Sequence, residues 1–559
     1  MAADQADFSD ALHGRFLRGL ARNPEGTAAR YGEQRVRYTE LHGRALAWAG
    51  ALLDATPQRP LTLGILTAGG ITGWTAVLAG LYAGAPVVPL NPAFPPERLR
   101  RMVTAAGVTA LVTDTLGDAV LPALLQALPD RPRLPVLAAE ASGGAGPAAG
   151  PAVRPNPGSA LDRPRAVSPQ DRAYILFTSG STGTPKAVPV THGNTAHYFR
   201  TLDARYDFAP DDVFSQTFDL GFDCAMFDLF CAWGAGGTLL GVPERAYHDL
   251  PAFAARNSLS VWFSTPAAIA VVRRAGGLTP DVLPGLRWSL FIGEAFRRRD
   301  AADWQRAAPA SAVENLYGPT ELTISISAHR YQQDRSPALS VNGVLPIGAV
   351  HDGHEHLLLD ADGEPVSDEG ELCVTGPQTV TGYLDPEQDR GRFLVRDGRT
   401  WYRTGDRVRR VEGGELVCLG RGDAQVQVRG WRVEPAEIDH ALADCDGVEE
   451  TLTVGVRSAG TDELVTFHTG APLPVATLAR HLLRTVPVEL VPRRFQHLAE
   501  MPLNTNRKID RAALISRAER LVGLPAADPA PNTKPGADPG DRTPAVPDAG
   551  SFPANHKEP

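Results

Sequence analysis

The chain has 559 residues, 43% hydrophobic and 21% charged, an ordinary globular composition on a length that exceeds one core and predicts more than one domain. A net charge of −9 leaves no basic face for nucleic acid or an anionic membrane, and favours a partner that is small or itself specifically docked. The five cysteines (Cys224, Cys231, Cys373, Cys418 and Cys445) show no CxxC spacing, and their odd number fits reduced thiols better than a disulfide framework.

The opening MAADQADFSDALHGRF carries acids where a secretory signal needs a basic and then an apolar region. From Leu61 to Pro96 no residue is charged. Glycine and proline interrupt that stretch (TAGGITGW, YAGAPVVPLNP), so no clean apolar span of about twenty residues survives. It reads as strand–helix–strand buried in an α/β core, where parallel strands are continuously apolar. A soluble, cytoplasmic protein with no membrane partner is expected. The apolar runs TLGILT, ALVTD, YILFT, LSVWFS and WSLFIG alternate with helical stretches, which predicts βαβ units and a large parallel sheet. Residues 137–170, rich in Ala, Gly and Pro, read as an irregular surface connection. Shorter segments from about Gly343 to Leu419 predict a β-rich subdomain, and a small α+β unit follows Asp423 and ends near Leu521. The rest has almost no aromatic or branched apolar residues and reads as a disordered tail. The expected domains are 1–422, 423–522 and the tail 523–559.

Only four of the 55 basic side chains are lysine: Lys186, Lys508, Lys534 and Lys557. The last two fall in the tail, so the remainder uses arginine everywhere except at Lys186 and Lys508. An ammonium is a compact point charge and a guanidinium a wide planar fork, so the two are not interchangeable at a phosphate or carboxylate. Codon bias accounts for the arginines, but not for both remaining lysines lying inside motifs. TSGSTGTPK (178–186) sets two glycines and five hydroxyl residues between a predicted strand and Lys186. Glycines let backbone amides curl around an anion, and hydroxyls add donors to phosphate oxygens. A flexible Ser/Gly linker would not need the preceding strand or the terminal lysine, and the pattern is not a Walker A loop.

TSGSTGTPKAVPVTHGN (178–194) resembles the phosphate loop of the adenylate-forming enzymes, specifically the amino-acid-activating domains of nonribosomal peptide synthesis. The resemblance continues in the family's order: LHGRFLRGLARNPEGTAARYGEQRVRYTEL (12–41), YAGAPVVPLNPAFPPERL (82–99), FDLGFDCAMFDLF (218–230), ENLYGPTEL (314–322), GELCVTGPQTVTGYL (370–384), YRTGD (402–406), GRGDAQVQVRGWRVEPAEID (420–439) and NTNRKID (504–510). A carrier-protein motif with its DSL-type serine is absent, so the resemblance implies a free-standing enzyme acting on a carrier in trans. It also implies the fold: a large N-terminal domain of parallel-sheet αβαβα subdomains plus a β-rich subdomain, and a small mobile C-terminal α+β domain.

Adenylation joins a carboxylate to the α-phosphorus of ATP and expels pyrophosphate, so catalysis is mostly positioning and electrostatic stabilisation of crowded anions. By resemblance, Lys508 bridges the substrate carboxylate and α-phosphate, while Lys186 and the loop Thr178, Ser179, Gly180, Ser181, Thr182 and Gly183 hold the outer phosphates. Tyr317 would stack on adenine, Thr320 donate to the α-phosphate, and Glu321 ligate Mg²⁺. Gly293, Asn315 and Gly318 complete the implied nucleotide site. Asp406 suits the vicinal ribose hydroxyls, with Arg421 beside it. Asp423 matches the family's hinge, with Gly422 beside it, about which the small domain turns from adenylation to thioesterification. Gln427 departs from the QVKIRG of many relatives, removing one lysine while Arg429 and Gly430 remain. Partners implied are the phosphopantetheine arm of a stand-alone carrier protein and, as in some relatives, a small MbtH-like activator.

FDCAMFDLF matches the family's FDxSxxEMF, which puts Asp223 where the substrate's α-ammonium pairs; a buried carboxylate needs such a counter-ion. Asp219, four residues earlier, offers a second carboxylate, and a β-amino acid would suit a shifted one. The remaining projected pocket positions are Cys224, Phe227, Phe263, Phe291, Gly293, Leu316, Ile324 and Ser325. No second charge lies among them, which argues against acidic or basic substrates. The phenylalanines either fill the cavity, favouring Gly, Ala or another small side chain, or wall it for proline or an aromatic; bulk at Phe227 favours small and neutral. A coenzyme A ligase for an acid lacking an amine is the alternative on this scaffold, and a catalytically silent binding module is a third reading.

Overall fold

The computed structural model describes residues 10–57, 60–128, 134–138, 152–155, 157–179, 185–421, 426–428, 430–458, 461–502 and 509–523. The uncharged segment folds as its pattern requires. Strand Leu63–Leu66, helix Gly70–Tyr82 and strand Val87–Leu90 form a right-sized βαβ unit whose two strands pair in parallel, Leu63 opposite Val87. The helix is apolar all round because nearly all of it is buried between sheet and protein. Among the described residues no helix is long and apolar enough to cross a membrane.

Around this unit stands a seven-stranded sheet in the order 152–153, 136–138, 110–113, 63–66, 87–90, 172–178, 186–191. All its neighbours pair in parallel except the last, where Lys186–Thr191 runs back against Arg172–Thr178. Two of its strands, Val136–Ala138 and Ala152–Val153, lie within the stretch read as irregular connection. They are two or three residues long, too short to show a period, and tertiary pairing decides them.

A nine-stranded sheet carries 349–350, 327–330, 312–317, 288–291, 261–264, 213–216, 238–241, 27–31 and 34–37 in that order. It is parallel through its centre and antiparallel at both edges. The fully buried strands Val261–Ser264 and Trp288–Phe291 are the continuously apolar runs. The β-rich region is a six-stranded antiparallel sheet built on the long strand Arg399–Arg410. Beyond it come a two-stranded hairpin, Val426–Val428 with Trp431–Val433, then helix Pro435–Ala443 and a three-stranded sheet flanked by helices Val475–Leu482 and Arg511–Val522. The chain is thus α/β with two parallel-centred sheets, a β-rich region and a small C-terminal α+β region.

Helix Pro435–Ala443 is tied to the large region by an ion pair between Arg98 and Glu437, both almost fully buried. Trp431 packs edge-on against Phe222, with ring centres 4.7 Å apart, and tilts against Phe94 at 5.8 Å. The hairpin therefore sits on the large region rather than beside it.

Candidate active site

The C-terminal ends of the parallel strands converge with the antiparallel sheet and the hairpin around a cavity of about 520 Å³, the usual ligand position in open α/β sheets. Its lining includes Asp223, Cys224, Gly293, Asn315, Leu316, Tyr317, Thr320, Asp406 and Arg421, with Gln427 and Gly430 from the hairpin. Residues quoted from motifs some 200 positions apart in the chain meet here.

Asp223 immediately precedes helix Cys224–Ala235 and is buried. One carboxylate oxygen accepts from the Ile324 amide at 3.2 Å, the other faces the Cys224 thiol at 3.6 Å, and the Thr320 hydroxyl also donates to it. Burial pushes its pKa up to about 6 against those bonds. Among the described residues it forms no ion pair, so a buried carboxylate faces the cavity without a cation of its own. Behind it Phe227 packs on Phe263 with centres 4.4 Å apart, and Phe263 on Phe218 at 4.9 Å. Phe227, Phe263, Ile324 and Ser325, projected as pocket positions, do not line the cavity: Ile324 and Ser325 are fully buried, and the Ser325 hydroxyl donates to the Tyr198 oxygen.

Phe291 is a correction. It packs against Phe296 and Trp304 on the opposite side of the sheet, while the next residue, Ile292, lines the cavity. Side chains alternate along a strand, so a projection off by one residue selects the wrong face. Gly293, one step further, holds φ +92° where the strand ends, a conformation that suits glycine.

Opposite Asp223 lies a set suited to a nucleotide. The Tyr317 hydroxyl donates to one Asp406 oxygen at 2.6 Å, and Arg421 pairs with the other at 2.9 Å. Asp406 and Arg421 face each other across adjacent antiparallel strands. Asn315 is fixed by donating to the Pro346 carbonyl at 2.7 Å. At Gly318 an added Cβ would stand 2.6 Å from the Ser325 Cα, so only glycine lets this turn press against the pocket wall.

The third group is anionic at its centre. Glu321 is fully buried; it accepts from the Tyr383 hydroxyl at 2.7 Å and pairs with Arg432 of the hairpin at 2.9 Å. Burial opposes its charge, but Arg432 and Tyr383 prevail and hold the carboxyl below its usual range. Arg432 also donates to the Tyr402 oxygen. Lys186 lies 3.7 Å from Glu434 and 5.5 Å from the Tyr383 ring centre. Its pKa is lowered, by burial first and by Arg392 next. Ser179 donates to the Arg432 carbonyl and accepts from the Glu434 amide. Thr178 ends the strand that leads into this loop. Gly180, Ser181, Thr182, Gly183, the hinge Asp423, and Lys508 lie outside the described residues.

A magnesium ion carried on nucleotide phosphates needs only one or two protein carboxylates. Glu321 is one such carboxylate, and Lys186 nearby would balance phosphate charge rather than bind the metal; Tyr383 and Arg432 engage both Glu321 oxygens here, so the cation would compete with Arg432 for it. Among the described residues no cluster of three His, Cys, Asp or Glu forms an all-protein metal cage.

Sequence reasoning missed Arg432, Glu434, Trp431 and Gln378 as site residues. Three of them lie in the quoted string GRGDAQVQVRGWRVEPAEID, where an arginine and an acid flanking the hairpin were the available signal. Nothing local marks Gln378, whose partners are some 55 positions away.

With this geometry in place, comparisons with known proteins agree with it. The profile of the AMP-binding enzymes matches residues 16–384. The L-proline–[L-prolyl-carrier protein] ligase of Pseudomonas fluorescens is 32% identical over 520 residues, covering 91% of this chain and 99% of that protein. The crystal structure of IdnL7 is 51% identical, covering 92% of this chain and 99% of that one, with a TM-score of 0.71. The Vibrio cholerae adenylation domain AlmE, solved with glycyl-adenosine-5'-phosphate, is 26% identical, covering 91% and 98%, with a TM-score of 0.78. The match over residues 16–384 and a relative 32% identical across 99% of its length place the chain in the AMP-binding enzyme family.

Proposed function

We propose that this enzyme activates a small neutral amino acid with ATP and passes it to the phosphopantetheine thiol of a separate carrier protein. In the first step a substrate carboxylate oxygen bonds to the α-phosphorus and the bond to the departing pyrophosphate breaks. In the second, the carrier thiolate bonds to the acyl carbon and AMP leaves. The observation that carries the amino-acid reading is Asp223, a buried carboxylate with no cation among the described residues. A substrate ammonium supplies the missing charge, and an acid without an amine would leave it unanswered. Phe227 and Phe263, which pack on each other, are read as limiting the depth available to a side chain, which favours glycine- or alanine-sized substrates. Support also comes from relatives whose names record a prolyl-carrier ligase and a glycyl adenylate.

In this reading Tyr317 lies along the adenine, Asp406 accepts from the ribose hydroxyls, and Thr320 donates to the α-phosphate. Lys186 and the loop from Thr178 neutralise the outer phosphates. Mg²⁺, held by Glu321 and the phosphates, would supply charge neutralisation there. Lys508 is assigned to the reacting carboxylate and α-phosphate by its motif.

The test is amino-acid-dependent ATP–pyrophosphate exchange against the proteinogenic amino acids, β-alanine and several simple carboxylic acids. It should be run with and without a small MbtH-like activator. A sharp response to one small neutral amino acid is expected. A response confined to acids lacking an amine would overturn the role of Asp223 and move the enzyme to coenzyme A ligation.

A further inference from the structure

Next to Asp223 the backbone does something costly. Thr323 and Ile324 hold φ of +59° and +71° in succession, the left-handed region. For a β-branched residue this is a genuine outlier, and here there are two. Such a turn persists only where its surroundings over-determine it.

The surroundings converge on Gln378, which is fully buried. Its side-chain amide donates to the carbonyls of Ser325 at 2.8 Å, Leu322 at 3.1 Å and Thr323 at 3.4 Å. The Gln378 main-chain carbonyl accepts from the Thr323 hydroxyl at 2.7 Å, so the two segments of chain are laced in both directions. The clamp is itself anchored. The Gln378 amide N–H donates to His354 Nε2 at 3.1 Å, and Asn194 donates to the neighbouring Pro377 carbonyl at 2.7 Å. What the strained turn delivers is the Ile324 N–H, aimed at Asp223.

We infer that Gln378 is a positioning residue for amino-acid recognition: its carboxamide holds the Thr323–Ile324 turn so that the Ile324 amide bonds and orients Asp223, which lines the cavity. This rests on the reading of Asp223 as the partner of the substrate ammonium. Gln378 never touches the substrate. It acts through three carbonyls whose alternative, without its donors, is relaxation of the turn toward negative φ.

A readout that simple loss of stability does not move is the split between substrates: the turn delivers the Ile324 amide to Asp223, so the amino-acid KM should respond while the ATP KM does not.

The experiment uses the full chain and compares Gln378→Met, Gln378→Asn and Asp223→Asn by steady-state exchange kinetics. Gln378→Met should raise the amino-acid KM about tenfold with the ATP KM within about twofold, the loss of roughly one bond to a charged group. Gln378→Asn, which keeps the donors on a shorter arm, should fall between, and it serves if the methionine variant does not fold. Adding Thr323→Gly to Gln378→Met should restore much of the KM, because glycine holds a positive φ without a clamp. If Asp223→Asn raises the amino-acid KM while the Gln378 variants keep the wild-type KM, the inference is overturned and the ammonium reading stands. If Asp223→Asn leaves that KM unchanged, the ammonium reading falls and this inference with it.

Discussion

A carboxylate taken out of water without a cation destabilises the protein that buries it, and Asp223 is buried with no ion pair among the described residues. Its folded pKa of about 6 lies above the unfolded value of 3.8, so the folded state holds the proton more tightly. The sign follows. Above pH 6 the ionised group costs stability, on the order of 3 kcal/mol for a displacement of this size, and the cost fades as pH falls from 6 toward 3.8. Asp223→Asn should therefore raise Tm at pH 7.5, with an advantage that shrinks at pH 5, while raising the amino-acid KM by tenfold or more. Melting curves at the two pH values check the first part and exchange kinetics the second. A variant that melts lower at pH 7.5 would show that Asp223 is a structural carboxylate. The residue scale is also where sequence reading was sharpest and most fragile. Asp223, Tyr317, Asp406 and Arg421 were named from their motifs, and all four line the cavity. Phe291 is projected in place of Ile292, which lines the cavity, because a strand reverses its side chains at every residue.

At the scale of elements, the period of apolar residues located the parallel strands well. Runs such as LSVWFS and WSLFIG are buried on both faces, and a continuous apolar run is what such burial demands. Val136–Ala138 and Ala152–Val153 escaped because strands that short carry no periodicity. The hairpin Val426–Val428 with Trp431–Val433 escaped for another reason: its place on the large region is fixed by partners remote in sequence. Trp431 inserts between Phe94 and Phe222, and Ser179 bridges Arg432 and Glu434. Buried aromatic anchors of this kind hold the largest share of a docking surface, about 2–4 kcal/mol on truncation. Trp431→Ala should lower transfer to the carrier at least tenfold while pyrophosphate exchange stays within about threefold of wild type, because the hairpin contributes Gln427 and Gly430 to the cavity only when seated. Loading of a radiolabelled amino acid onto the carrier, measured beside exchange, separates the two. Equal losses in both would place Trp431 in the fold at large.

Across the whole molecule, one carboxylate has two claimants. Glu321 accepts from Tyr383 on one oxygen and pairs with Arg432 on the other, and Arg432 belongs to the hairpin. On the reading proposed above, the same carboxylate receives Mg²⁺ when ATP is bound. Two cations on one buried carboxylate repel each other, so Mg²⁺ arriving with ATP weakens the Arg432 pair that helps seat the hairpin, and release of pyrophosphate with its metal restores it. Removing one partner of a buried pair costs about 3–5 kcal/mol, enough to bias the seating of the small C-terminal region strongly. Trp431 reports the seating directly, since it packs against Phe94 and Phe222 only when the hairpin is in place. Mg–ATP should therefore red-shift the tryptophan emission of the wild-type chain, and the shift should vanish in Trp431→Phe. Arg432→Leu should show the red-shifted emission without any ligand, retain pyrophosphate exchange and lose carrier loading. Wild-type emission that ignores Mg–ATP at saturation would mean that metal and Arg432 do not compete for Glu321, and that the hairpin stays seated through both half-reactions.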